Sequence, residues 1–238
     1  LKDITIDTLP LEYKLQIKRT PCRVEIILKE SEFKMRYELF KRLNTGGEGL
    51  SRQEIRNCIF RGLDSRYSEF IAELSKNNIF RDIVNISVSN EEKMYYEELV
   101  LRYLTLKNKG TRYPQANIQD YMDDYLESQC TEFDEVQMET DRVMFSNIMK
   151  ILEELKDENI FKLGKRYFTT SMYDAIMLSL SDSTVDLENV NINQLGEKIV
   201  ILKESEAFNK YVGSASSNPT SITNKVKIAK KVLLDITE

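Results

Sequence analysis

The sequence predicts a mainly α-helical protein, a helical bundle behind a small αβ element at the N-terminus. Three observations carry that expectation. Apolar residues recur at helical spacing almost throughout from Glu32 onward, β-branched alternation is confined to residues 1–30, and the linkers between periodic segments are short and polar. No internal repeat or low-complexity tract interrupts the pattern.

In chain order, residues 1–6 alternate as a strand would, and residues 22–28 are β-branched and largely apolar. Between them Leu9-Pro10-Leu11 opens a short helical pattern through Tyr13, Leu15 and Ile17. Two strands around one helix make too little sheet to stand alone, so they are expected to complete a sheet whose other strands lie outside this chain. Leu1 opens in mid-strand, which suggests a fragment. Helices are then expected over 32–43, ending at Asn44, and over 52–61, stopped by Gly62. The segment 66–76 presents Tyr67, Phe70, Ile71 and Leu74 on one face; 91–107 carries Met94, Tyr95, Leu99, Leu101 and Leu104 and is closed by Gly110. Further helices are predicted over 118–128, 133–155, 172–180, 193–208 and 221–236.

Composition sets bounds on function. With 238 residues, 41% hydrophobic and 31% charged, the chain is globular rather than disordered and can bury a substantial core. Its longest apolar runs, such as Ile176-Met177-Leu178, are far too short to span a bilayer, and residues 1–6 do not read as a signal peptide. Three scattered cysteines (Cys22, Cys58, Cys130) without a CxxC pair fit reduced thiols in a cytoplasmic protein, expected as small buried residues. Histidine is absent from the sequence, which excludes a Ser-His-Asp triad, a Cys-His dyad and any His-ligated metal. The net charge of −5 supplies no global drive toward nucleic acid.

Charge is nevertheless segregated. Residues 117–158 are rich in acids, including Asp120, Asp123, Asp124, Glu135 and Asp141, and read as a solvated face or, alternatively, as one that repels DNA or contacts a basic partner. The last helix carries Lys225, Lys227, Lys230 and Lys231 between apolar residues, as an exposed amphipathic face would.

Between the helices 32–43 and 52–61 lies the most informative stretch. Asn44-Thr45-Gly46-Gly47-Glu48-Gly49 holds three of the eight glycines in the chain. Ser51-x-x-Glu54 ahead of Ile55 is a capping box, which accounts for both residues without a ligand, with Leu50 as the hydrophobic staple. It leaves Asn44 and the glycines unexplained. They either shape a tight helix connection, Asn44 ending its helix in the left-handed region, or expose N–H groups to a phosphate. In the second case Asn44 contacts that phosphate or its Mg²⁺. Arg52 and Arg56 share a face beside a helix N-terminus that favours anions, although Arg56 could equally pair with Asp64 or another carboxylate.

The stretch from Tyr37 to Asn57 follows the pattern Phe-x-x-Leu-Asn-x-x-Gly-x-x-Leu-Ser-x-x-Glu, from Phe40 to Glu54. It resembles the signature of the GmrSD-type restriction endonuclease N-terminal domain family, as do Glu98-Leu99-Val100-Leu101-Arg102-Tyr103 and the closing turn and helix at 214–234. That resemblance implies a ParB/sulfiredoxin-like core and a role in prokaryotic defence against phage and foreign DNA. It implies that residues 1–62 are a remnant of the ParB-like αβ core and 63–238 a helical domain. By analogy with ParB proteins, it makes Asn44 the residue that lines the nucleotide-phosphate and metal site; with the glycine turn and the guanidinium read above, the nucleotide or phosphate candidates are Asn44, Thr45, Gly46, Gly47 and Arg56. A nucleoside triphosphate and Mg²⁺ are then the expected cofactors of the full-length protein. DNA, the upstream ParB-like half and a nuclease are the expected partners, and none in a membrane. The family's Asp-Gly-Gln-Gln-Arg motif occurs nowhere in this chain, so the chain alone is expected to be inactive. The alternative is a non-catalytic helical module for protein or DNA interaction.

Overall fold

A computed structural model of the chain describes residues 5–22, 24, 26, 33–43, 49–114, 117–164, 168–213 and 215–234. The described residues form thirteen α-helices, one 3-10 turn and no β-strand; Lys162 and Phe168 form an antiparallel bridge. They divide into two compact units, Leu1–Leu43 and Asn44–Glu238.

The first unit contains α1 (Leu11–Arg19) and α2 (Phe33–Leu43). Of the first expected strand, residues 1–4 lie outside the described residues. Thr5 and Ile6 belong to a turn instead, closed by the Leu9 N–H on the Thr5 carbonyl at 3.1 Å and by Thr5–Thr8 side-chain bonds. Of the second, Cys22, Val24 and Ile26 are described and outside any strand; Arg23, Glu25, Ile27 and Leu28 lie outside the described residues. Helix α1 buries none of its side chains, and Leu11 and Ile17 are 70% and 56% exposed.

The second unit is a helical bundle, as the periodicity predicts. Its helices are α3 (Arg52–Phe60), α4 (Ser65–Leu74), α5 (Asn78–Val84), α6 (Val88–Glu92), α7 (Tyr95–Lys109), α8 (Ile118–Thr131) and α9 (Glu135–Glu154). After them come α10 (Thr170–Leu180), α11 (Ile192–Glu204), α12 (Glu206–Asn209) and α13 (Pro219–Leu234). Helix α3 packs on α4, α7 and α8 within this unit, so the compact units divide after Leu43, ahead of the position 62 read from the sequence. Short polar side chains start most helices: Asp64, Asn77, Asn117, Asp134, Thr169 and Asn191 each accept a backbone N–H of the first turn. Gly110, at φ 87°, ends α7, a backbone angle that costs glycine least. Ser205 ends α11 and starts α12, splitting the single helix expected over 193–208.

Two helices lie at the centre. All of Leu99–Leu106 in α7 and Ser171–Leu180 in α10 are buried, and a helix enclosed all round must satisfy its polar side chains internally. Arg102 of α7 does so with Asp174 of α10, a two-pronged pair at 2.7 and 2.6 Å with both groups almost fully buried. The Tyr173 hydroxyl adds a bond to the Leu99 carbonyl at 3.1 Å. A second polar cluster ties α4, α7, α8 and α9: fully buried Asp141 accepts from Lys107 at 2.8 Å and from Asn108 at 2.7 Å. Asn108 also donates to Tyr125, which bonds Tyr67 at 2.6 Å. Asp141 is therefore a core residue, against the solvated face read from the acidic stretch.

Helix α13 departs from its sequence reading in the same way. Asn218 accepts the Ser221 N–H and Pro219 takes the first helical position, where its missing N–H costs nothing. Lys225, expected on a solvated face, is fully buried against α10 and donates to Ser171 Oγ at 2.9 Å and the Ser216 carbonyl at 2.8 Å. Lys230 pairs with Asp182 at 2.5 Å. The cysteines also differ from expectation, since Cys22 and Cys58 are exposed and only Cys130 is half-buried. Cys58 follows Asn57 on α3 and points away from the packed face.

Replacing Asp174 by Ala leaves the Arg102 guanidinium buried without its counter-ion and should cost about 3–5 kcal/mol. The double variant Arg102→Met/Asp174→Leu should recover most of that loss in denaturant unfolding. Lys225 gives a pH signature. Burial pushes its ammonium down to about 8, with Asp174 opposing the shift and Arg102 adding to it. Below that value both folded and unfolded states carry the proton, and the folded state bears the cost. Between about 8 and the ordinary value of 10.5 only the unfolded state still binds it, so stability rises with pH across that window. Wild type should therefore gain stability relative to Lys225→Met from pH 8 to 10.5, a gain absent if Lys225 is hydrated.

Candidate functional site

Asn44, Thr45, Gly46 and Gly47 lie outside the described residues, as does Glu48. The flanking helices are described: α2 ends at Leu43, immediately before Asn44, and α3 begins at Arg52. Gly49 and Leu50 are exposed, Leu50 by 37%.

The start of α3 is built by Ser51. Its backbone is extended (φ −63°, ψ 161°), and Oγ accepts the Glu54 N–H at 3.2 Å while the Glu54 carboxylate accepts the Ser51 N–H at 2.7 Å. The same Oγ donates to the Lys93 carbonyl at 2.8 Å, tying α3 to the segment that enters α7. This reciprocal cap places the chain's own carboxylate at the positive end of α3, where the helix dipole favours an anion. An incoming phosphate would be repelled there by that carboxylate.

Arg56 is fully buried. Its Nε donates to Asp123 at 2.5 Å, Nη1 to Gln53 Oε1 at 3.2 Å, and Nη2 to the Gln119 carbonyl and side chain at 3.0 and 2.7 Å. Glu98 lies 3.8 Å from Nη1. Of the two roles open to Arg56, anion ligand or partner of an internal carboxylate, these contacts are those of the second. Arg52, on the same face, pairs with Asp120 at 2.9 Å and approaches Asp123 at 4.0 Å. The anion that this guanidinium pair meets is helix α8.

Around Arg56 the polar groups close on one another. Gln53 donates to Asn57 at 3.2 Å, Asn57 donates to Glu97 at 2.5 Å, and Gln119 donates to Glu98 at 2.9 Å. Gln53, Asn57, Glu97, Glu98, Gln119 and Asp123 help fix α3, a role the sequence reading assigned to none of them. A signal was present: Asp120 and Asp123, three apart on one helix, match Arg52 and Arg56, four apart on another. Among the described residues no group of three or more Cys, Asp and Glu side chains is arranged to hold a metal ion. Nor is any helix long and apolar enough to cross a membrane.

The arrangement positions α3 against α7 and α8. The donors of Arg56 are spent inside the chain, on Asp123, Gln53 and Gln119. Comparison with protein-family models, with curated proteins and with solved structures returns no match to this chain.

Two substitutions separate capping from anchoring. Ser51→Ala removes one cap and should lower stability by about 1 kcal/mol. Arg56→Ala strands several buried partners and should cost about 3 kcal/mol or more. Equal losses in urea unfolding would mean that the buried pair anchors α3 no more firmly than its cap does.

Proposed function

We propose that the chain is the C-terminal part of a prokaryotic, restriction-type defence protein whose complete form binds and hydrolyses a nucleotide and acts on DNA. The observation that carries this reading is the pattern from Phe40 to Glu54, with Asn44 and the glycines placed between two helices. In this reading Asn44, Thr45, Gly46 and Gly47 face the phosphates, and Asn44 also reaches Mg²⁺. The helical unit is the mount: the Ser51–Glu54 cap and the Arg56 contacts hold α3 firmly where the turn ends, and pre-organisation of this kind lowers the entropy lost on binding. The apolar side chains of α1 are surface that an upstream ParB-like half would cover. The protein works in the cytoplasm, with a nuclease as partner, and this chain alone turns nothing over.

A different observation favours the alternative of a non-catalytic interaction module. Val136 and Val143 of α9 are 77% and 51% exposed and line an open groove of about 830 Å³ with Met144 and Leu187. Exposed apolar surface grouped in this way is typical of protein contacts.

Titration of Mg-ATP and Mg-GTP into the complete protein and its Asn44→Ala variant separates the two. The expected result is an affinity about tenfold weaker in the variant, equivalent to about 1.4 kcal/mol, with an unchanged melting temperature. Ser51→Ala should lower the melting temperature and leave affinity alone. Unchanged affinity in Asn44→Ala, or no binding by wild type, overturns the nucleotide reading in favour of the module.

A further inference from the structure

A second cleft lies between the α5–α6 connection and the bridge that precedes α10. It encloses about 620 Å³, within the range of small-molecule sites, and is lined by Asn85, Ser87, Asn90, Tyr95, Lys162 and Phe168, together with Ile86. Its walls are held by contacts behind them. Asn85 ends α5 in the left-handed region (φ 40°), its N–H on the Arg81 carbonyl at 2.9 Å. The Ile86 N–H donates to the Tyr96 hydroxyl. Across the cleft, Lys162 and Phe168 are held opposite each other by the bridge, and the Thr169 N–H donates to the Phe161 carbonyl at 2.9 Å. Phe168 meets Tyr95 edge to face at 6.2 Å and packs on Phe161 and Tyr173 behind it.

The chemistry of the lining is uneven in a telling way. Lys162 is half-buried and makes no ion pair or side-chain hydrogen bond among the described residues. Among the described residues every other lining group is an amide, a hydroxyl, an aliphatic chain or an aromatic ring, and none is a carboxylate. The charge of Lys162 is felt beyond the cleft, where it helps lower the pKa of Lys203, which burial lowers first. Aromatic surface, neutral amides and one uncompensated ammonium together select a flat molecule with a negative group.

The geometry points to a binding site for a small planar-ring anion, the ring against Tyr95 and Phe168 and the anionic group on Lys162. Mononucleotides and aromatic carboxylates share that chemistry. The site is independent of the glycine turn and uses none of its residues.

Calorimetric titration of the complete protein in EDTA tests it, with AMP and 4-hydroxybenzoate as probes and adenosine and inorganic phosphate as half-ligands. Binding of AMP or 4-hydroxybenzoate, but of neither half-ligand as tightly, is expected. Lys162→Gln should weaken that binding about tenfold or more, as loss of a charge-assisted hydrogen bond does. Asn85→Asp keeps the shape and adds a repelling carboxylate, so it should weaken binding at an exposed position that carries no core. Asn44→Ala should change nothing, which separates this site from the turn. Failure of both probes to bind, binding untouched by Lys162→Gln and Asn85→Asp, or inorganic phosphate binding as tightly as AMP overturns the assignment.

Discussion

The bundle depends on a charge it cannot expose. Arg102 sits in the middle of α7, a helix enclosed on every side, and only the carboxylate of Asp174 makes its burial tolerable. Such a pair adds little net stability over apolar residues of the same size, but it admits one register. Shifting α10 by one turn along α7 would strand both charges. The aromatic packing around it, Tyr173 on Phe161 and Phe80 on Phe145, would be satisfied by several arrangements; the ion pair restricts them.

Helix α7 repeats this device along its length. Glu97 and Glu98 near its start receive the polar cluster of α3 and α8, Arg102 at its middle receives α10, and Lys107 and Asn108 at its end receive Asp141 of α9. The α3–α8 pair, α10 and α9 thus meet different polar groups along α7, which specifies order among neighbours of otherwise similar apolar character. Asp120, Asp123 and Asp141 of the acidic stretch and the basic Arg52, Arg56 and Lys107 are the two halves of such contacts.

Much of the bundle was legible because it repeats at helical spacing. The segments 66–76, 118–128, 133–155 and 172–180 lie within a few residues of α4, α8, α9 and α10, and Gly110 ends α7 as read. Helices α5 and α6 were not read, being of seven and five residues, too short for a periodic signal. Buried charge was the larger omission. A lysine between asparagine and valine in an amphipathic helix, as Lys225 is, looks identical on a solvated face and in a core, and its partners Ser216 and Ser171, the second 54 residues away, distinguish them. For the turn the converse holds: the pattern around Asn44 was visible at once, whereas the role of Arg56 depended on Gln119 and Asp123, far off in the chain.

That separation has a consequence for how the protein is made. The contacts that fix α3 join residues 67 apart in the chain, and those that fix α7 join residues 72 apart. While the ribosome has delivered α3 but not yet α8, Arg56 has no counter-ion and the helix has only its own cap to hold it. Helix α3 therefore matures late, after a loop of this length has closed, and during synthesis it is open to proteases and chaperones. Regulation of the protein's abundance could act in that interval, before any ligand is met.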